Sequence, residues 1–188
     1  MRCVQSLPEG YREIRRVNLQ KDKKTALLVN GASLLIALAL ILPAAFLKPI
    51  YHGETLPEAT LKLGVISGAM LVYIVLHELT HGVCMRRLGA KVKYGFTLLY
   101  AYAGSDACFD KGAYLLIALA PVVVWGAVLT VVTALVPAEW FWVAYAVQVM
   151  NLSGAAGDLY VTALFSRLPG DILVQDSGVE MVVYQSEK

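Results

Sequence analysis

The segment VLHELTHGVC, residues 75–84, places two histidines and a glutamate inside an otherwise apolar stretch. The wider stretch, residues 63–85, contains no Lys, Arg or Asp, and Glu78 is its only carboxylate. A run of that length can cross a bilayer as a helix. An ionisable side chain deep in a membrane costs about 2.5–3.5 kcal/mol on insertion scales, so it indicates a functional site.

The composition is that of one integral membrane domain. Of the 188 residues, 58% are hydrophobic and 16% are charged, and the mean hydropathy is +0.62. The net charge of +2, without a basic patch interleaved with aromatics, argues against a nucleic-acid partner. The three cysteines lack CxxC spacing, so we expect packing residues or free thiols rather than disulfides or a structural zinc knuckle.

Four charge-poor segments are long enough to span the bilayer. They are residues 25–47, 63–85, 112–138 and 140–166. The sequence therefore predicts an all-α integral membrane protein with four transmembrane helices.

The distribution of Lys and Arg predicts the orientation of these spans. Seven basic residues lie before residue 25, five between residues 86 and 111 and two after residue 166, whereas residues 48–62 carry two. We therefore expect a multi-pass protein of the cell membrane with both termini in the cytoplasm. Its parts would be a cytoplasmic segment 1–24, a four-helix membrane core 25–166 and a cytoplasmic tail 167–188.

Two short segments outside the spans favour β-structure. Residues 91–104, KVKYGFTLLYAYAG, alternate with a period of two and are rich in β-favouring side chains, which predicts a strand or hairpin at the cytoplasmic face. A second hairpin is predicted over residues 172–184, with DSG at 176–178 as its turn. Pro121 should kink or locally open the third span.

The residues HELTH form an HExxH motif. On a helix, His77 and His81 are one turn apart and project toward one ion, and Glu78 lies beside them as a base for water. Imidazole and carboxylate ligands suit a catalytic zinc ion. Short motifs also arise by chance on packed helices, but each member of this one is costly inside a span, which favours a metal site.

A catalytic zinc ion needs a third protein ligand. The remaining histidine, His52, lies in the predicted outer loop, a whole span away, and Glu78 and Asp158 are the acidic residues within the predicted spans. Asp158 is therefore the leading candidate, at a depth comparable to that of His81 at about 1.5 Å per helical residue. The alternative is a structural pairing of Asp158 with a neighbouring helix.

The stretch NLSGAAGD, residues 151–158, precedes this acid with small residues that let helices approach closely. Asn151 lies seven residues before Asp158, so both face the same way. Its amide is a candidate donor to a substrate carbonyl or developing oxyanion, or else an interhelical hydrogen-bonding group. Cys84 shares a face with His81 and is interpreted as a packing residue, with an approach to the metal as the alternative.

Together these motifs resemble the site-2 protease group of intramembrane metalloproteases. The chain is most similar to a family of small four-span bacterial membrane proteins described as zincin peptidases, in which an Asn-x-x-Gly-x-x-Gly-Asp pattern follows the HExxH helix. The resemblance implies His77, His81 and Asp158 as zinc ligands and Glu78 as the catalytic base. Site-2 proteases carry Asp-Gly within a proline-bearing stretch, whereas this chain has Gly-Asp and no proline there.

The function expected from these residues is zinc-assisted hydrolysis of peptide bonds in membrane-protein or peptide substrates near the cytoplasmic face. Two alternatives from other classes remain open. A non-catalytic zinc-binding membrane protein would keep the histidines without needing Glu78. A metal or ion carrier would use the same buried groups as a transport site.

Overall fold

A computed structural model of the chain describes residues 2–18, 21–50, 53–96 and 101–187. Five α-helices account for most of the described residues, and a 3₁₀ turn at Ala138–Trp140 joins the third helix to the fourth. The helices are α1 (Lys23–Leu47), α2 (Leu56–Arg87), α3 (Lys111–Leu135), α4 (Phe141–Gly154) and α5 (Ala156–Ser166).

Seven strands form two antiparallel sheets among the described residues. The strands are β1 (Cys3–Val4), β2 (Tyr11–Val17), β3 (Lys93–Phe96), β4 (Ala101–Gly104), β5 (Cys108–Asp110), β6 (Leu173–Asp176) and β7 (Met181–Ser186). Five of them form a sheet in the order β1-β5-β6-β7-β2, and β3 and β4 form a separate hairpin.

The prediction of an all-α protein is wrong. Both terminal segments enter the five-stranded sheet, in which β2 pairs with β7 and β1 pairs with β5. The predicted hairpins are both present, as β3–β4 and β6–β7. Residues 97–100 of the predicted 91–104 hairpin lie outside the described residues. The sheet was missed because β2, YREIRRV, has charged residues at most positions and no apolar alternation to identify it.

Three helices are long and apolar enough to cross a membrane within the described residues, namely α1, α2 and α3. None of the side chains of helix α1 is fully buried within the protein, and many of its large apolar side chains are exposed. These helices indicate a membrane protein. The predicted fourth span is instead divided into α4 and α5, with Ala155 between them at a ψ of 12°.

Polar side chains define where the helices begin. Asp22 accepts hydrogen bonds from the backbone N–H groups of Lys24 and Thr25 at the start of α1. Thr55 and Glu58 form a capping box at the start of α2, and Asp110 caps α3 by accepting from the Ala113 N–H at 2.8 Å. Helix α2 ends before Gly89, whose φ of +94° suits glycine.

The five-stranded sheet packs against one end of the helices and forms the main core there. The fully buried side chains Phe109, Phe165 and Val183 belong to this core, together with Met85 near the end of α2. Lys111 Nζ, at the start of α3, joins α3 to the end of α5 by donating to the backbone carbonyls of Ser166 and Leu168. The C-terminal half of α2, which carries HELTH, is therefore held close to the sheet.

Candidate metal centre

Three donor groups from α2 and α5 converge on one point. His77 Nε2 lies 3.2 Å from His81 Nε2 and 3.2 Å from Asp158 Oδ2. His81 Nε2 lies 3.5 Å from Asp158 Oδ1. The Glu78 carboxylate lies beside this triangle, because donor atoms of His77, Glu78 and His81 are all within 4.8 Å of one another. The structure thus brings together the two histidines, the glutamate and the aspartate expected from the sequence.

The spacing of these atoms suits a tetrahedral zinc ion. Zinc binds nitrogen and oxygen ligands at about 2.0–2.2 Å, which places neighbouring ligand atoms about 3.3–3.5 Å apart. The three side chains retain 13%, 11% and 23% exposure for His77, His81 and Asp158, so they face a space that an ion and a water can enter. Two imidazoles and one carboxylate leave the fourth tetrahedral position open, as in catalytic zinc sites.

The orientation of His81 is fixed by a main-chain carbonyl of α3. His81 Nδ1 lies 2.9 Å from the Ile117 oxygen, and a carbonyl oxygen only accepts, so Nδ1 carries the proton. The Ile117 carbonyl is free for this bond because the residue four positions later, Pro121, has no N–H to donate. His81 Nε2 therefore presents a lone pair to the centre.

Asp158 takes its position from the break between α4 and α5. The break falls among small residues, and it places Asp158 in the first turn of α5. The N-terminus of a helix carries partial positive charge that stabilises a carboxylate there. The small residues Gly154 and Gly157 border the same cavity as Asp158. The sequence NLSGAAGD thus supplies both the bend and the room around the acid.

Glu78 is held by the β3–β4 hairpin. Its Oε2 accepts a hydrogen bond from the backbone N–H of Ala103 at 2.8 Å. The hairpin lies close to α2 because Gly82 has no side chain: a Cβ there would lie 2.1 Å from the Tyr94 hydroxyl oxygen. The catalytic-base candidate is therefore anchored to strand β4.

A cavity of about 900 Å³ opens at the metal centre. Its walls come from α1, α2, α3, the end of α4, α5, β4 and the turn of the C-terminal hairpin. Besides the four site residues, its lining includes Asn30 on α1, Tyr102 and Ala103 on β4, and Val179 in the turn. A space of this size and mixed polarity can accommodate several residues of an extended peptide.

The turn after β6 closes one side of this cavity. The Asp176 carboxylate accepts hydrogen bonds from the Gly178 N–H and the Tyr114 hydroxyl, both at 2.8 Å. Burial raises the pKa of Asp176, and these two hydrogen bonds partly offset the shift. The turn packs on β4 so tightly that a Cβ at Gly104 would lie 2.2 Å from backbone atoms of Ser177.

Asn151 lies behind the metal centre and does not face the cavity. Its side chain is 0% exposed, and its amide is hydrogen-bonded to Tyr73 and to groups on α3 and α4. Of the two roles that the sequence suggested for Asn151, this placement agrees with an interhelical hydrogen-bonding group and not with a donor to the substrate.

Cys84 packs against the buried core, in agreement with its interpretation as a packing residue. His52 lies outside the described residues.

Several residues around the centre were missed by the sequence analysis. Tyr73 contacts His77, and its spacing of four residues before His77 on α2 was a usable signal. Gln148 contacts Asn151 from three residues earlier on α4. The position of Pro121 was also a usable signal, because a proline leaves the carbonyl four residues before it, here that of Ile117, without its helical donor.

Comparisons with known proteins agree with this chemistry. A family model described as "Putative zincin peptidase" matches residues 70–173, more than half of the chain. A protein of Pyrococcus woesei, described as "Uncharacterized 24.7 kDa protein in gap 5'region", is 27% identical over 123 residues, which cover 60% of this chain and 51% of that protein. The match thus spans about half the length of that relative. No solved structure matches the chain.

The family match contains the whole of HELTH and extends past Asp158. It also covers Tyr73 and Asn151, but neither α1 nor the turn at Asp176. A zincin is a peptidase whose zinc ligands include the histidines of HExxH, which is the motif found at the centre of the cavity. The chain belongs to the family described as "Putative zincin peptidase".

Proposed function

We propose that this protein is a membrane-embedded zinc metalloprotease, similar to site-2 proteases, that cleaves membrane proteins near the cytoplasmic face. The observation that carries the proposal is the triangle of donor atoms from His77, His81 and Asp158, with edges of 3.2, 3.2 and 3.5 Å, beside the carboxylate of Glu78. A triangle of metal-donor atoms, an adjacent base and an adjoining cavity are the elements that metal-assisted hydrolysis requires.

His77, His81 and Asp158 would hold the metal, and their donor set fits zinc. When bound, zinc supplies Lewis acidity that polarises the scissile carbonyl and brings the pKa of a coordinated water near 7. Lone pairs of three donors so close together repel one another, and a cation relieves that repulsion.

Glu78 carries the proton transfers. Its Oε2 is held by the Ala103 N–H, so its position beside the metal triangle is fixed. It takes a proton from water while the water oxygen bonds to the carbonyl carbon of the substrate. It then gives that proton to the amide nitrogen as the carbon–nitrogen bond breaks. The hydroxyl group of the water thereby ends on the new carboxyl group, and its other proton ends on the new amine.

The substrate is presented as an extended segment beside β4. Transmembrane helices keep their carbonyls in internal hydrogen bonds, so a helix must unwind before it is cut. The Ala103 N–H points toward Glu78 and away from β3, so this edge of β4 faces the centre. Ala101, Tyr102 and Ala103 border the cavity, and the Ala103 N–H is bonded to Glu78, so a peptide would add by β-augmentation to the other backbone groups of this edge.

The proposal includes a four-span arrangement in which α4 and α5 together cross the cell membrane. Residues 48–62 would then lie outside, and both termini and the loop 86–111 would lie in the cytoplasm, because basic residues favour that side. The five-stranded sheet would cover the cytoplasmic end of the bundle. Cysteine labelling of intact cells tests this arrangement, and an external C-terminus would contradict it.

The Glu78→Gln variant tests catalysis. It keeps the size of the side chain but cannot take a proton from water, so zinc binding should persist while cleavage falls by about 100- to 10,000-fold. Membrane proteins co-expressed with the wild type or the variant are compared for accumulation of uncut forms. The matched control is Glu139→Gln, an exposed glutamate in the 3₁₀ turn.

The outcomes of this comparison separate the function classes. The protease predicts uncut forms that accumulate with Glu78→Gln and not with Glu139→Gln. A non-catalytic zinc protein or an ion carrier predicts identical patterns for wild type and both variants. Identical patterns in a set that contains a verified substrate would overturn the proposal.

A further inference from the structure

The hydroxyl of Tyr73 bridges a metal ligand and a fully buried amide. Tyr73 Oη lies 2.9 Å from His77 Nδ1 and donates to Asn151 Oδ1 at 2.8 Å. Tyr73 is 6% exposed and Asn151 is 0% exposed, so water does not compete for these bonds. The contact reaches the ring nitrogen of His77 that faces away from the metal triangle.

The direction of these hydrogen bonds is set by main-chain carbonyls of α3. Gln148 Nε2 donates to the Gly126 oxygen at 3.2 Å, which turns the Gln148 Oε1 toward Asn151. Asn151 Nδ2 lies 3.4 Å from both Gln148 Oε1 and the Val122 oxygen. Because these partners only accept, the nitrogen of the Asn151 amide faces them and its oxygen faces Tyr73.

This direction determines which nitrogen of His77 carries the proton. The Asn151 oxygen accepts the Tyr73 proton, so the remaining bond of the Tyr73 hydroxyl is one that it accepts from His77 Nδ1–H. His77 Nε2 is then the unprotonated nitrogen and presents its lone pair to the metal. In the other tautomer, a lone pair on Nδ1 would face the lone pairs of the Tyr73 oxygen.

We propose that Gln148, Asn151 and Tyr73 form a positioning chain that holds His77 as the metal-binding tautomer. The inference rests on the proposed zinc site and assigns Asn151 to ligand positioning rather than to substrate contact. Close approach of the helices supports the chain: a Cβ at Gly126 would lie 3.3 Å from Asn151 Nδ2. Partners behind a metal ligand typically contribute about 10- to 100-fold to metal affinity.

The test removes the Tyr73 hydroxyl and leaves its ring. Zinc affinity of the full chain in detergent is measured by competition with a chelator, and the cobalt-loaded protein is examined by visible absorption. Tyr73→Phe should weaken zinc by about 10- to 100-fold and alter the cobalt spectrum. Tyr145→Phe is the matched control, because Tyr145 also donates one hydrogen bond from a helix, to the Leu40 oxygen, away from the metal triangle.

A second variant separates positioning from simple loss of packing. Asn151→Leu keeps the volume but removes the acceptor, so Tyr73 can donate to His77 and the wrong tautomer becomes available. Zinc affinity should fall although Asn151 touches no metal ligand directly. Wild-type zinc affinity in both Tyr73→Phe and Asn151→Leu would overturn the positioning chain and leave the zinc site intact. Absence of zinc binding by the wild-type protein would instead overturn the proposed function.

Discussion

Pro121 and His81 are linked through one carbonyl group. The Ile117 oxygen would accept the N–H of residue 121 in an uninterrupted helix, but proline has none, and His81 Nδ1 lies 2.9 Å from that oxygen. The interruption in α3 thus provides the group that orients His81, a proposed metal ligand, on α2. Pro121 therefore lowers the stability of α3 but leaves the Ile117 carbonyl free to orient His81.

Replacing this proline tests the link. Pro121→Ala restores an N–H that competes with His81 for the Ile117 oxygen. We expect the helix to become more stable, because an interior proline costs about 3 kcal/mol or more, while zinc binds more weakly. Thermal unfolding of the metal-free protein and chelator competition measure the two effects separately.

The control is the same substitution at another helix. Pro43 lies inside α1 and has no part in the metal centre, so Pro43→Ala should change stability without changing zinc affinity. Zinc affinity that is equal in wild type, Pro121→Ala and Pro43→Ala would show that the Ile117 carbonyl does not matter to His81.

Much of the candidate metal centre was predictable because its residues follow local rules. The spacing of HELTH and the cost of charges in apolar segments indicated His77, Glu78 and His81 as candidates, and the scarcity of other acids indicated Asp158. The residues that contact the proposed ligands from behind were not predicted, because in the sequence Tyr73 resembles any other residue of an apolar helix. Its role depends on the distant Asn151, and no local pattern encodes that contact.

The same contrast holds for the fold. Both hairpins were predictable, since each is a local alternation around a turn. The five-stranded sheet was not, because it joins β2 near the N-terminus to β7 at the C-terminus, and such pairing depends on tertiary contacts. The break at Ala155 also escaped prediction, since apolar composition alone does not distinguish one long helix from two short ones.

The proposed role of Asp158 as a metal ligand predicts an outcome that differs from the outcome predicted for Glu78. Asp158→Ala removes one of the three donor groups, so zinc affinity and cleavage should fall together, whereas Glu78→Gln should lose cleavage alone. Metal content after dialysis against a weak chelator measures the difference. Asp106→Ala is a suitable control, because Asp106 is a 74% exposed partner of Lys93. Full zinc retention in Asp158→Ala would remove this residue from the ligand set.

The final prediction concerns pH and the turn at the cavity wall. Burial raises the pKa of Asp176, so folding favours its protonated form. This contribution to the free energy of unfolding is therefore fully present below the ordinary Asp pKa of about 4 and is lost as the pH rises through the raised value. At neutral pH the buried charge lowers stability.

Asp176→Asn should remove this dependence. Asparagine resembles the protonated carboxyl, since its oxygen can accept from the Gly178 N–H and its NH₂ can donate to the Tyr114 hydroxyl. Wild type and variant should unfold at similar temperatures near pH 4, and the variant should unfold at the higher temperature at pH 7. Asp106→Asn changes an exposed carboxylate and should shift neither value appreciably. An Asp176→Asn protein that is less stable than wild type at pH 7 would mean that the carboxylate holds the turn in its charged form.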